Sequence, residues 1–291
     1  MQKRKFQIIT DSGCDLPQEY FAEHNVECVK LGFIMDGVEY FGESGQEIDL
    51  SAFYERLRAG AKPTTYQITP EVAEAHMRGA LERGLDVLVI AFSSGLSGTA
   101  DSYFVAQKAL SKEYPKRKIF VVDSLCASLG QGLLLDYVVR KADEGASIEE
   151  TYEFAEGLKL AINHQFTVND LFHLKRGGRV SSATAIVGTM LNVKPILHVS
   201  DEGKLTTTGK VMGRQKSLRR LVENMQEVAE LAEDDRIFIS HADCIEDAKF
   251  VQELLRKSYP NNPVFIHYIG PVIGSHAGAG TVALFFKSTK R

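Results

Sequence analysis

Short apolar runs alternate with amphipathic segments along the first half of the chain. Residues 87–92 are apolar throughout, which is typical of a strand in a parallel sheet that is covered on both faces. Further strands are predicted at residues 6–10, 26–33 and 119–122, a tight hairpin at Asp36-Gly37, and helices at residues 17–23, 50–58, 71–82, 100–110, 130–142 and 148–163. Strands that alternate with helices predict a parallel α/β sheet.

The second half of the chain has a different pattern. Residues 196–199 and 204–211 predict a hairpin about Asp201-Glu202-Gly203. Three more strands are predicted at residues 237–240, 264–269 and 282–286, with helices at residues 168–174, 181–191, 215–232 and 245–257. This pattern predicts a second α/β domain with a mixed sheet. We place the boundary so that residues 1–165 form the N-terminal domain and residues 166–291 the C-terminal domain.

A run of hydroxyl side chains and glycines lies between the predicted strand 87–92 and the helix that follows it: Ser93-Ser94-Gly95-Leu96-Ser97-Gly98-Thr99. At such a junction free backbone N–H groups and the helix dipole favour an anion, and glycine allows close approach. Thr10-Asp11-Ser12 and Asp123-Ser124 also follow predicted strands, so the three runs meet at one edge of the sheet. The sequence therefore predicts a site for a small anion at this edge. An ordinary helix cap with turn glycines is the alternative for residues 93–99.

Three common enzyme motifs receive no support from the sequence, two because the motif is not matched and one because its context is wrong. Thr99 stands where a nucleophile elbow, G-x-S-x-G, requires its last glycine. The Walker A sequence G-x-x-x-x-G-K-[ST] does not occur, which argues against one common nucleotide site. Residues 278–283 fit G-x-G-x-x-A, but they lead into the predicted strand 282–286 and leave no room for a following βαβ unit.

A second hydroxyl run, Pro63-Thr64-Thr65-Tyr66-Gln67-Ile68-Thr69-Pro70, lies upstream of the first. Further short motifs follow one another at residues 10–12, 15–17, 121–124, 127–130, 170–181, 193–197, 209–213 and 269–276. With these motifs in this order, the chain resembles the DegV family of fatty-acid-binding proteins, which includes FakB, over nearly its full length.

The resemblance implies that the chain binds one long-chain fatty acid in a buried tunnel between the two domains. Position by position, the carboxylate is expected at Thr65 and Ser97, with His276 nearby in a glycine-rich loop over residues 274–280. We assign supporting roles to a group of small and polar residues: Ser94, Gly98, Thr99, Asp11, Ser12 and Ser128. Candidates for the tunnel wall are Ile186, Val187, Met190, Leu191, Ile273 and Phe285.

The same resemblance implies a lipid carrier rather than an enzyme. In FakB-type members, which are bacterial, a separate ATP-using kinase, FakA, phosphorylates the bound fatty acid, and the carrier takes the acyl-phosphate to phospholipid synthesis. A basic turn is expected to face such a partner through Lys175, Arg176 and Arg179. The chain departs from the family motifs at Tyr66, Ile68, Ala279 and Met212. The last of these replaces the arginine of K-V-R-G, which bears on the kinase partner.

Two other functions stay open at this point. A serine-dependent hydrolase or acyltransferase would use Ser97 as its nucleophile and His276 as its base. A phosphotransferase with a nucleotide site of its own is the other.

Composition narrows the classes of partner. A net charge of −4 gives no basic field for nucleic acid. The four cysteines are dispersed, and no metal-ligand spacing relates the histidines His164, His173, His198, His241 and His267. We therefore expect no metal, and no cofactor besides the bound fatty acid.

The apolar run after residues 1–5 is too short for a signal peptide, and no run of about 18 apolar residues occurs. These features predict a cytoplasmic protein whose contact with a membrane is at most transient.

Overall fold

The computed structural model describes residues 4–42, 45–180, 192–289 and 291. In these ranges four parallel strands form an N-terminal sheet in the order β2-β1-β6-β7: β1 (Phe6–Asp11), β2 (Val26–Val29), β6 (Asp86–Ala91) and β7 (Ile119–Asp123). The helices that connect and cover these strands are α1 (Gln18–Glu23), α3 (Pro70–Glu82), α4 (Thr99–Glu113), α5 (Leu129–Asp143) and α6 (Ile148–Leu158). Every side chain of β1 is buried, and so are those of β6 from Val87 onwards. The prediction of a parallel α/β sheet is confirmed.

A smaller antiparallel sheet contains β3 (Gly32–Met35), β4 (Val38–Phe41) and β5 (Thr64–Tyr66), with α2 (Leu50–Arg58) between the last two strands. The prediction of one strand over residues 26–33 is wrong, because the chain leaves the parallel sheet after β2. Leu31 donates its N–H to Ser12 Oγ at 2.9 Å, and its carbonyl accepts from Gly42 N at 3.3 Å. The tight hairpin is confirmed, since Asp36 and Gly37 have φ values of 52° and 79°.

A mixed C-terminal sheet occupies the second half of the chain, as predicted. Its strands in the described ranges follow the order β10-β9-β8-β13-β11-β12: β8 (Ile162–Thr167), β9 (Val193–Val199), β10 (Leu205–Met212), β11 (Ile237–His241), β12 (Val264–Tyr268) and β13 (Val282–Lys287). Neighbouring strands are antiparallel except for β11 and β12. The accompanying helices are α7 (Phe172–Arg176), α8 (Arg214–Val228), α9 (Ile245–Ser258) and α10 (Pro271–Ala277). The helix predicted over residues 181–191 lies outside the described residues.

The predicted helix over residues 148–163 is too long. It ends at Leu158, and a short 3₁₀ turn leads directly into β8. Tertiary pairing decides the conformation of this segment: all six residues of β8 are buried, and the strand pairs with β13. Residue 165 therefore lies within β8, and the division of the chain into residues 1–165 and 166–291 stays a prediction.

Helix α5 lies between the two large sheets. It contacts β6 on one side and β8, β11 and β13 on the other. All of its residues from Leu129 to Val139 are buried, which agrees with a helix that is apolar nearly all round. In the described part of the chain, no helix is both long and apolar enough to cross a membrane.

Candidate functional site

A cavity of about 340 Å³ lies between the N-terminal and the C-terminal sheets. This volume is within the range of sites that enclose a small ligand. Its described lining comes from both halves of the chain and is mainly apolar: Leu31, Thr65, Tyr66, Gln67, Phe92, Leu96, Ser97, Ala127, Ser128, His164, Phe166, Leu174, Arg179, Val199, Leu205, Ile269, Val272, Ile273, His276, Ala277, Thr281, Ala283 and Phe285.

The three residues expected at the carboxylate all line this cavity. Thr65 lies on β5 and His276 on α10, and Thr65 Oγ1 is 2.8 Å from His276 Nε2. Ser97 lies just before α4, where its hydroxyl is 3.0 Å from Thr99 Oγ1 and accepts from Thr99 N at 3.3 Å. Arg179 connects the two places, because its Nε donates to Leu96 O at 3.1 Å and its charge acts on His276. We call Thr65, Ser97, Arg179 and His276 the polar end of the cavity.

The prediction that His276 lies in a glycine-rich loop is wrong. Pro271 begins a helix at a position where its missing N–H is no loss. The helix ends at Ala277 and is followed by Gly278, whose φ of 78° suits glycine. His276 is in the last turn of this helix and is half-buried. Desolvation, together with the charges of Arg179 and Arg176, lowers the pKa of His276 to about 4. The imidazole is therefore neutral at neutral pH, and its Nδ1 is buried without a hydrogen-bond partner among the described residues.

The loop of residues 93–99 joins β6 to α4, as the sequence predicts. Its backbone N–H groups, however, are mostly not free. Ser94 N donates to Asp123 Oδ1, Gly95 N to Ser93 Oγ, and both Leu96 N and Ser97 N to Ser93 O. An anion at this point would therefore be bound chiefly by side-chain hydroxyls. The expectation that free N–H groups point into the crevice is wrong for these four residues.

The supporting residues divide into two groups. Ser128 lines the cavity. Asp11 accepts hydrogen bonds from Phe92 N (2.8 Å) and Gly13 N (3.0 Å), and burial raises the pKa of its carboxyl to about 6. Ser12 bonds to Leu31 N as described above. Gly98 is close to a lining side chain, because a Cβ added there would lie 2.4 Å from Gln67 Oε1. Apart from Ser128, the supporting residues shape the loops around the described lining without forming part of it: Asp11, Ser12, Ser94, Gly98 and Thr99.

The basic turn is divided in the same way. Lys175 and Arg176 are exposed, whereas Arg179 is half-buried and lines the cavity. That these three residues face a partner stays a prediction.

The apolar wall contains Ile273 and Phe285, as expected, whereas Ile186, Val187, Met190 and Leu191 lie outside the described residues. Sequence reasoning missed most of the other wall residues. A signal for some of them exists, since His164 and Phe166 share one face of β8, and Ala283 and Phe285 share one face of β13. Side chains on both faces of these two strands are buried. The alternation of residues along each strand therefore does not show which face lines the cavity and which packs in the core.

His164 is a polar residue in the apolar wall. Its Nδ1 lies 3.0 Å from Ile162 O, and its Nε2 accepts from Ala127 N at 3.2 Å. Burial lowers the pKa of this histidine well below its usual value. Both ring nitrogens are therefore used within the protein.

The described residues hold no group of metal ligands, and Ser97 and His276 do not form a catalytic triad. No group of three or more His, Cys, Asp or Glu side chains is placed to hold a metal ion. His276 bonds to Thr65 rather than to Ser97, and in the described ranges no carboxylate holds its Nδ1, as a triad requires.

Comparisons with known proteins agree with this architecture. The chain matches the DegV family, described as an uncharacterised protein family, over residues 5–289. A DegV domain-containing protein of Clostridium perfringens is 41% identical over 283 residues, which cover 97% of each chain. A solved fatty-acid-binding DegV family protein of Thermus thermophilus is 32% identical with a TM-score of 0.87, covering 98% of this chain and 100% of that one. DegV of Bacillus subtilis, also described as a fatty acid binding protein, is 30% identical with a TM-score of 0.82, covering 99% and 100%. The chain therefore belongs to the DegV family.

Proposed function

We propose that this chain binds one long-chain fatty acid in the cavity between its sheets. The carboxylate lies at the polar end, at Thr65, Ser97 and His276, and the hydrocarbon chain follows the apolar wall past Phe285. The observation that carries this proposal is a mainly apolar cavity between the sheets with the bonded pair Thr65 and His276 at its polar end. The solved relatives from T. thermophilus and B. subtilis, which are described as fatty-acid-binding, support it.

The apolar wall supplies most of the affinity in this proposal. Burial of a methylene is worth about 0.8 kcal/mol, so a chain of about 16 carbons gains much more than the net binding energy before the ordering costs are subtracted. The carboxylate, by contrast, needs hydrogen-bond donors once it leaves water. The hydroxyls of Thr65 and Ser97 are such donors, and Arg179 adds a positive charge close by.

The finer proposal concerns what happens to the bound lipid. We infer that the chain is a carrier whose ligand is phosphorylated by a separate, FakA-like kinase that uses ATP. Support comes from the exposed side chain of Arg176, whose charge acts on His276, and from its exposed neighbour Lys175. Both suit an acidic protein surface or a phosphate. Incubation of the loaded protein with ATP and such a kinase should form acyl-phosphate, and neither protein should do so alone.

The serine hydrolase alternative is not favoured. A nucleophilic serine needs a base within hydrogen-bond reach, and His276 bonds instead to Thr65. A p-nitrophenyl ester assay tests this point: we expect no burst of product, and a burst that disappears in Ser97→Ala would revive the alternative.

Uptake of oleate by delipidated protein tests the proposed function. Binding is measured by displacement of a fluorescent fatty acid, and we expect saturation at one oleate per protein chain. Oleyl alcohol, which keeps the chain but lacks the carboxylate, should bind more weakly. Absence of saturable oleate uptake would overturn the proposal.

A further inference from the structure

Asp15, from the sequence motif Asp15-Leu16-Pro17, lies buried between the two halves of the protein. It follows the short turn after β1 and has a φ of 53°. Its Oδ1 accepts from Gly270 N at 2.9 Å, and its Oδ2 accepts from Ser128 Oγ at 2.5 Å. Gly270 immediately precedes α10, the helix that carries His276, and Ser128 lines the cavity. One carboxylate therefore contacts both the cavity wall and the helix of the polar end.

The contact between Asp15 and Gly270 depends on the lack of a side chain at residue 270. Gly270 has a φ of −65°, which any residue can adopt, but a Cβ there would lie 2.6 Å from Asp15 Oδ1. Glycine is thus required for space rather than for backbone conformation. Ser128 is held on the other side, with a φ of 55° that is uncommon for serine and with its hydroxyl also 3.1 Å from Ser240 Oγ.

Helix α10 is only seven residues long, so its two ends are not independent. At its start, Tyr54 OH donates to Ile269 O at 2.7 Å beside the bond from Gly270 to Asp15. At its end, His276 meets Thr65. A shift at the start of this short helix would therefore move the imidazole of His276 away from the hydroxyl of Thr65.

We propose that Asp15 is a positioning residue of the fatty-acid site: its carboxylate holds the start of α10 and the Ser128 wall, and thereby fixes His276 against Thr65. The inference rests on the proposed function. Hydrogen bonds to an ionised carboxylate are roughly twice as strong as those to a neutral group, so the ionised form holds the helix best.

Ionisation of Asp15 has a cost in this environment. Burial raises the pKa of its carboxyl to about 7, and the neighbouring Asp11 on β1 acts in the same direction. Two more titratable groups among the described residues lie against Asp15. Burial and then the Asp15 charge raise the pKa of Tyr54 on α2, and His267 on β12 bonds to the Asp15 backbone. The ionised carboxylate therefore lowers the stability of the fold while it positions α10.

This conflict makes the proposal testable with Asp15→Asn, which has the same shape but no charge. At pH 8 we expect the variant to unfold at a higher temperature than the wild type, yet to bind oleate at least about fivefold more weakly, since charged hydrogen bonds are replaced by neutral ones. A merely structural residue would lose stability and affinity together. The wild-type affinity should also fall as the pH is lowered from 8 to 6, and the part of this change centred near pH 7 should be missing in the variant.

Two controls separate this contact from general damage. Asp136→Asn alters another buried carboxyl, which bonds to Tyr20 and Arg236 away from the cavity lining, and it should leave oleate affinity unchanged. Gly270→Ala should weaken oleate binding in the wild type but have little further effect when Asp15 is replaced by alanine.

A second readout does not depend on lipid. The pKa of His276, followed by NMR in the ligand-free protein, should rise towards the ordinary value for histidine in Asp15→Asn, because a displaced imidazole is less desolvated. If the wild type fails to take up oleate, the proposed function fails, but this titration still tests the positioning role. Unchanged oleate affinity and an unchanged His276 titration in Asp15→Asn would overturn the proposal.

Discussion

Thr65 and His276 are 211 residues apart in the sequence, and their side chains form a hydrogen bond of 2.8 Å across the polar end of the cavity. The bond joins β5, from the small antiparallel sheet, to α10, from the second half of the chain. If the hydroxyl of Thr65 donates to Nε2, then Nδ1 carries the proton of the neutral ring. If instead Nε2 carries the proton and donates to the hydroxyl, the hydroxyl proton of Thr65 is available to a fatty-acid carboxylate, so ligand binding and the tautomer of His276 are coupled.

Thr65→Val removes the hydroxyl and keeps the shape of the side chain. We expect oleate affinity to fall about tenfold to a hundredfold, because a hydrogen bond to a charged group is worth about 1.5–3 kcal/mol. Thr64→Val is the matched control, since Thr64 is the exposed neighbour on the same strand. Displacement of a fluorescent fatty acid measures both variants, and equal affinities for the two would mean that Thr65 does not hold the head group.

His276 should make the stability of the ligand-free protein sensitive to acid. Its pKa in the folded state is about 4, below the usual 6.5, so the unfolded chain binds a proton that the folded chain excludes. The stability it contributes is present above pH 6.5 and is lost as the pH falls towards 4. Between pH 7 and pH 5 this amounts to about 2 kcal/mol.

Urea unfolding of the wild type and of His276→Gln at pH 7 and pH 5 measures this effect. The loss of stability on acidification should be smaller in the variant. Asp11 and Asp15 have raised pKa values and act in the opposite direction, so only the difference between the two proteins isolates His276. A loss of the same size in both proteins would show that His276 is not buried as a neutral ring.

Gly177→Ala should disturb the polar end from the outside. Its φ of −74° permits alanine, but the new Cβ would lie 2.1 Å from His276 Nδ1. We expect weaker oleate binding with the imidazole pushed aside. Gly157→Ala, on α6 where a Cβ would meet nothing within 4 Å, is the control and should bind oleate normally. Normal binding by both variants would contradict the packing of Gly177 on His276.

Ala283→Leu should shorten the space for the hydrocarbon chain. Ala283 lines the cavity from β13 beside Phe285, and a larger side chain there takes volume that the ligand would occupy. We expect the affinity for oleate to fall more than the affinity for myristate, measured by displacement on the same variant. An equal loss of affinity for both ligands would mean that the hydrocarbon chain of the fatty acid does not lie beside Ala283.

Much of the fold could be predicted from local pattern. The apolar run of residues 87–92, the hairpin at Asp36-Gly37 and the helix before Gly84 each satisfy a local rule, and each is found in the structure. The predictions of secondary structure are wrong where pairing with a distant strand, rather than local pattern, decides the conformation of a segment. The predicted helix 148–163 includes residues 162 and 163, which instead begin β8 and pair with β13. The predicted strand 26–33 includes Leu31, whose backbone bonds to Ser12 and Gly42 after the chain has left the parallel sheet.

The candidate site was less predictable. Thr65, Ser97 and His276 were identified through family motifs, because residues 211 apart have no local pattern in common. Arg179 lines the cavity, which its place in a basic turn does not reveal, since exposure cannot be deduced from charge. That it faces a partner stays a prediction. The helical setting of His276 depends on Pro271 as well as on the glycines that follow, and composition alone favoured a loop.

Native mass spectrometry of freshly purified protein, followed by denaturation and identification of the released ligand, tests the central claim most directly. The account predicts one long-chain fatty acid per chain, with occupancy reduced in Thr65→Val and retained in Thr64→Val. An empty protein that also fails to take up added oleate would contradict it.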